Sequence, residues 1–136
     1  MFQAIKDERN RKKQINELND FIAKTIDDET KSAKTKSEHG EAYQRACSML
    51  SDEFNERDAL RQQPWLATLW KEGVLIPKEY WEERYEYEKP VLNPTGERWA
   101  RGESRRLKRL NIEFWFKLVL PLLALILSII ALVKKH

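Results

Sequence analysis

Apolar and polar residues are segregated along this chain, and the segregation predicts a membrane-spanning helix at its end. Residues 114–133 carry a single charge, Lys117, whereas the preceding residues mix apolar and charged side chains at close intervals. A helix over this stretch is about 30 Å long, which matches the hydrocarbon core of a bilayer. The alternative is the buried core of a hydrophobic oligomer, but the rest of the chain supplies little protein to surround such a helix.

The residues before this stretch follow a helical period, which predicts an all-α fold. Residues 2–28 form one predicted helix, with the apolar positions Ile15, Leu18, Ile22 and Ile26. Residues 41–62 form another, with the apolar positions Ala42, Ala46, Met49, Leu50 and Phe54. Apolar stripes of this kind bury one another in an antiparallel hairpin. We therefore expect a small helical module followed by one C-terminal transmembrane helix.

Prolines and glycines punctuate the region between the module and the span. Pro64 suits the first turn of a short helix, and Gly73 suits its end. Pro77 and Pro90 bracket a further predicted helix, for which a short strand is the alternative because apolar and polar residues alternate there. We expect a module over 1–89, an irregular connector over 90–102, a basic amphipathic segment over 103–113 and the span over 114–133.

Positive charge predicts the orientation of the span. Six basic residues precede it within about twenty residues and two follow it, and the side richer in Lys and Arg stays in the cytosol. The expected topology is single-pass and tail-anchored with a cytosolic N-terminus. The single cysteine, Cys47, fits a reducing compartment. A bacterial inner membrane is favoured, although a eukaryotic endomembrane would impose the same physics.

Residues at both ends of the span are expected to contact the membrane interface. They are Arg105, Arg106, Lys108, Arg109, Phe114, Trp115, Lys117, Lys134 and Lys135. Two interpretations of the basic segment stay open: it lies on an anionic cytosolic leaflet, or its charges only set the topology. Within the span, Ala124, Ser128 and Ala131 lie close to one face, and the first two have the spacing of a helix-packing motif.

No residue pattern indicates catalysis, a metal or a cofactor. His39 and Cys47 lack a third orienting group, and we interpret them as a solvated histidine and a small buried cysteine. Neither a phosphate-binding glycine loop nor a nucleophile elbow occurs in the sequence. We therefore expect a protein that is not an enzyme.

Aromatic residues between positions 65 and 99 are the best candidates for binding a partner. Trp65 and Trp70 fit a packed core, whereas Tyr85, Tyr87 and Trp99 lie among charges and suit either a core or a binding surface.

The sequence leaves three functions open. We favour a membrane-anchored adaptor or regulator that presents its helical module to an unidentified protein partner. The alternatives are a membrane-active effector that forms a homo-oligomer through its span, and a small subunit of a larger membrane complex. Nucleic acid is disfavoured as a partner, because membrane proximity already explains the basic residues.

Overall fold

The computed structural model describes residues 2–82 and 89–134, and within these ranges the protein is all-α. The α-helices are α1 (Phe2–Thr30), α2 (Lys36–Met49), α3 (Ser51–Lys71) and α4 (Pro94–Lys134), and Lys78–Tyr80 forms one 3₁₀ turn. The predicted all-α fold class is confirmed. Two compact units share the chain: a first unit of Met1–Pro64 with Ile76–Glu97, and a second unit of Trp65–Leu75 with Arg98–His136.

Helix α1 confirms the helix predicted over residues 2–28 and packs against α2. Its less exposed positions recur at alternating intervals of three and four residues and include Ile15, Leu18 and Ile22. Ile22 is the buried residue of this helix. This spacing places one apolar stripe along a helix whose other faces are charged.

The single helix predicted over residues 41–62 is instead divided between α2 and α3. Leu50 interrupts it with φ −96° and ψ 16°, and its side chain is buried. Asp52 and Glu53 then occupy the first turn of α3, where their charges favour a helix N-terminus. Helix α2 itself begins earlier than predicted because Thr35 caps it in a capping box with Glu38.

Pro64 lies inside α3, so the prediction that it begins a helix is wrong. A proline inside a helix leaves the carbonyl four residues earlier without its usual amide donor. That carbonyl belongs to Leu60, and the Arg11 guanidinium of α1 donates to it at 2.9 Å. Glu8 holds the same guanidinium through two hydrogen bonds of 2.7 and 2.9 Å. Helix α1 therefore supplies the hydrogen bond that Pro64 removes from α3.

The helix predicted between Pro77 and Pro90 is also wrong in the part that the structure describes. After the 3₁₀ turn, Trp81 forms an isolated antiparallel bridge with Leu92. The buried Gln62 side chain completes this pairing from α3: its Oε1 accepts from the Leu92 amide at 2.7 Å, and its Nε2 donates to the Leu92 carbonyl at 3.0 Å. A side-chain amide thus takes the place of a neighbouring strand.

Helix α4 begins at Pro94, where an irregular connector was expected. The Asn93 side chain caps the helix by accepting a hydrogen bond from the Gly96 amide at 2.8 Å, and proline is favoured at the first helical position. Gly96 lies against Tyr80: a Cβ at Gly96 would stand 2.6 Å from the Tyr80 Cβ and would overlap the Tyr80 carbonyl oxygen. The glycine therefore permits close packing rather than ending the helix.

The second unit joins the end of α3 to the longer part of α4. Its buried residues are Leu66, Leu69, Ala100 and Ser104. The Arg101 guanidinium carbon lies 4.8 Å from the centroid of the Trp65 ring, within the range of a cation–π contact. Gly73, with φ 69°, follows the end of α3, as the sequence predicted. The amides of Gly73 and Val74 donate to the carbonyls of Trp70 and Leu69, which is the Schellman pattern of a helix end.

Candidate membrane-spanning helix

Helix α4 is long and apolar enough to cross a membrane, as predicted. Its apolar part coincides with the predicted span over 114–133, and no residue in this range is buried by the rest of the chain that the structure describes. The large apolar side chains of the range are between 41 and 72 % exposed. A contiguous apolar surface of this extent is unusual for a protein surrounded by water.

Aromatic side chains stand at the start of the apolar stretch. The Phe114 and Trp115 rings meet edge to face, with centroids 6.3 Å apart and planes inclined at 77°. Both are more than half exposed, which suits residues at the boundary between lipid headgroups and hydrocarbon. Lys117, one turn further along the helix, is also exposed. Its stem is long enough to carry the ammonium back toward the aqueous side.

Basic residues occupy the helical turns immediately before the aromatic residues. Arg105, Arg106, Lys108 and Arg109 are all exposed. The Arg106 Nε lies 3.1 Å from both Glu103 carboxylate oxygens. This hydrogen bonding raises the pKa of Arg106 above its usual value. Lys134 ends α4 on the far side, and the expected interface residue Lys135 lies outside the described residues.

The helix passes from the basic turns into the apolar stretch without a break. A segment lying flat on a leaflet before a span would have to turn sharply near residue 114. Sharp kinks arise at prolines, at glycines or at helical bulges, and neither proline nor glycine occurs between residues 103 and 120. The continuous helix therefore favours basic turns that project from the membrane surface rather than lie on it.

The small residues expected to mediate packing are all exposed on the span. Ala124, Ser128 and Ala131 are not covered by any part of the chain that the structure describes. The Ser128 hydroxyl donates to the Ala124 carbonyl at 2.8 Å, one turn earlier. This internal hydrogen bond satisfies the one hydroxyl of the apolar stretch without help from a second helix.

The aromatic candidates for partner binding are only partly described. Tyr85 and Tyr87 lie outside the described residues, and Trp99 is half-buried at the start of α4. Trp65 is half-buried beneath Arg101, in agreement with its expected packing role. Trp70 is 60 % exposed, so its assignment to a core is wrong. No sequence signal distinguishes it, since its spacing from Leu66 and Leu69 matches a buried stripe.

The reactive side chains considered from the sequence lie on α2. His39 is exposed, and Cys47 is half-buried and unpaired. A hydrogen bond with Cys47 raises the pKa of Tyr43, one turn earlier on the same helix. In residues 2–82 and 89–134, no group of three or more His, Cys, Asp or Glu side chains is arranged to hold a metal ion.

No protein-family model, curated protein or solved structure matches this chain.

Proposed function

We propose that this protein is a single-pass membrane protein that presents its helical module as an interaction or adaptor domain. The observation that carries the proposal is the uncovered apolar stretch of α4. Removing apolar surface from water is worth about 25 cal/mol for each Å², so an exposed apolar stretch of this length favours transfer into lipid strongly. The backbone groups along a helix are also hydrogen-bonded within it, as the bilayer core requires; the exception in this span is the Lys117 carbonyl, whose usual amide donor is missing at Pro121.

The proposed orientation places residues before the span in the cytosol. The exposed basic turns of α4 support it, because Lys and Arg beside a span are retained on the cytosolic side. Near an anionic leaflet, each of these side chains contributes about 1 kcal/mol of attraction. A bacterial inner membrane is the membrane we favour. Enzyme activity, metals and cofactors have no part in the proposed function.

Exposed apolar side chains on the first unit support the proposed interaction role. Phe21 of α1 is 51 % exposed, and Tyr43 and Met49 of α2 are 47 and 66 % exposed. Aromatic residues and methionine are enriched at protein interfaces. A membrane anchor raises the effective concentration of such a domain near any partner in the same membrane.

Photo-crosslinking of the full chain in native membranes tests the adaptor proposal. A photo-reactive phenylalanine analogue at Phe21 is expected to give a discrete heavier adduct. The same analogue at the exposed Lys24, one turn away, serves as the matched control and should give much less of that adduct. Identical adduct patterns at both positions, or none at either, would contradict a partner-binding surface here.

The effector alternative makes a different prediction for the span. A water-filled pore needs a polar stripe, and the Ser128 hydroxyl is already bonded within its own helix. We therefore expect expression of the full chain to leave the membrane potential intact. Loss of the potential that is abolished by Ala124→Leu or Ser128→Leu would favour the effector instead. Migration in a much heavier assembly on native gels would favour a subunit of a larger complex.

A further inference from the structure

The end of α3 carries two exposed apolar side chains that its own unit leaves uncovered. We define the α3 tip as residues 70–75. Trp70 is 60 % exposed and Leu75 is 90 % exposed. Gly73 turns the chain between them through its left-handed conformation, and Lys71 beside it is also exposed. A tryptophan, a leucine and a lysine together are the side chains that favour a membrane interface.

The direction of α3 within the second unit carries the tip toward the apolar stretch. The second unit consists of Trp65–Leu75 and Arg98–His136. Trp65 is the first residue of the first stretch, and the Arg101 guanidinium that lies over its ring comes three residues after the start of the second. If α3 instead ran toward the start of α4, residues 66–75 would pass the level of Arg98 within about one helical turn and would no longer lie beside the α4 residues of this unit. The tip therefore lies alongside the residues of α4 that follow Arg101, where the buried Ser104 is found.

The height of the tip above the apolar stretch follows from the rise of the helix. Trp70 comes five residues after Trp65, which places it near the level of Arg106. That level is about 12 Å before Phe114 at 1.5 Å per residue. Helix α3 ends one residue later, at Lys71, so its end lies about 10 Å before the level of Phe114. Headgroup regions add roughly 5–8 Å outside the hydrocarbon core, and spanning helices tilt by about 20° on average. The exposed Leu75 side chain is therefore within reach of the headgroups.

We propose that the α3 tip is a second membrane contact, with Leu75 entering the headgroup region of the leaflet that α4 enters and Trp70 lying at the outer edge of that region. Lys71 would then lie among the lipid phosphates. The proposal rests on the proposed function, because it requires α4 to span the membrane. The same bilayer is the expected occupant of this surface because the tip and the apolar stretch belong to one compact unit and the tip is directed toward that stretch.

Nitroxide depth measurements on the full chain in nanodiscs of phosphatidylglycerol and phosphatidylcholine test the proposal. Single cysteines replace Leu75, Arg98, Arg105 or Leu118 in turn, in a Cys47→Ser background. Collisions with oxygen and with a water-soluble nickel complex report the depth of each spin label. Arg98 is the aqueous control because it lies about 24 Å before Phe114 on the same helix. Leu118 is the immersed reference.

The expected depth at position 75 lies between the depths at positions 105 and 118, and Trp70→Cys should give a depth between those at positions 98 and 75. A depth at 75 equal to that at 98, with 118 immersed, overturns the second contact and leaves the anchor intact. Protection of 75 from both oxygen and nickel indicates burial against protein and also overturns it. An aqueous reading at 118 removes the anchor itself, and the proposed function fails with it.

Discussion

The hydrogen bond from Arg11 to the Leu60 carbonyl predicts an energetic coupling between two residues that are distant in the sequence. In the native chain, Pro64 cannot donate to that carbonyl, and the Arg11 guanidinium does so at 2.9 Å. The Arg11 side chain is only 16 % exposed, so its loss leaves a carbonyl poorly solvated. Hydrogen bonds to charged groups contribute about 1.5–3 kcal/mol. We therefore expect Arg11→Met to lower the free energy of unfolding by about 2 kcal/mol.

Arg11→Met should lower the free energy of unfolding by less when Pro64 is replaced by alanine. In Pro64→Ala, the new amide at position 64 can donate to the Leu60 carbonyl, as in any helix. Arg11→Met in that background then loses mainly the contact with Glu8, and exposed pairs of that spacing contribute about 0.5 kcal/mol. A double-mutant cycle should give a coupling free energy of about 1–2 kcal/mol.

Thermal unfolding of the full chain in detergent micelles, followed by near-ultraviolet circular dichroism, measures all four members of the cycle. For a unit of this size, 1 kcal/mol corresponds to a shift of about 4–8 °C in Tm. Equal costs of Arg11→Met in the native chain and in the Pro64→Ala variant would refute the reasoning. The effect of losing the Glu8 contact is common to both backgrounds and cancels from the coupling.

Three further predictions concern the first unit and the start of α4. Gln62→Leu should lower the free energy of unfolding by about 2–4 kcal/mol, because two buried backbone groups lose their partner; the neighbouring, exposed Gln63→Leu should change it by less than about 0.5 kcal/mol in the same denaturation assay. Gly96→Ala should lower Tm through steric overlap, whereas Gly102→Ala, with open space around it, should raise stability by about 0.5–1 kcal/mol. The pKa of Glu8 is lowered by its hydrogen bond with a guanidinium, so its contribution to stability is present above the ordinary carboxyl range and is lost in acid. A Tm deficit of Glu8→Gln at pH 7 should therefore shrink as the pH falls below the ordinary carboxyl pKa, and a deficit that is independent of pH would contradict this assignment.

Local periodicity was sufficient to predict α1 and the apolar part of α4. Ile15, Leu18 and Ile22 mark the buried stripe of α1 by spacing alone, and residues 114–133 exclude charge almost completely. Gly73 ends α3 as predicted because its left-handed conformation is a property of the residue itself. These features depend on short-range physics, which a single sequence contains.

The errors arose where a distant residue supplies a missing partner. Pro64 resembles a helix start, yet α3 continues through it because Arg11 of another helix donates to the orphaned carbonyl. Residues 94–102 resemble an irregular connector, yet the Asn93 cap and the fit of Gly96 against Tyr80 allow α4 to begin at Pro94. Long-range pairings of this kind leave no periodic signal in the chain.

Trp70 shows the same limit at the candidate membrane surface. Its spacing from the buried Leu66 predicts a core position, but the packing of the second unit leaves it exposed. The apolar run of α4 was easier to predict because it excludes charge almost completely. The length and composition of such a run indicate a candidate membrane-spanning helix without any knowledge of tertiary packing.

Partition of the full chain on alkaline carbonate extraction of native membranes tests the membrane anchor most directly. Carbonate strips proteins that are held by charge or by protein contacts and leaves those whose helices cross the hydrocarbon core. We predict that the protein remains in the pellet, and that a variant with Leu123→Lys and Leu127→Lys, charged at the centre of the span, moves to the supernatant. Release of the native chain into the supernatant would contradict the account.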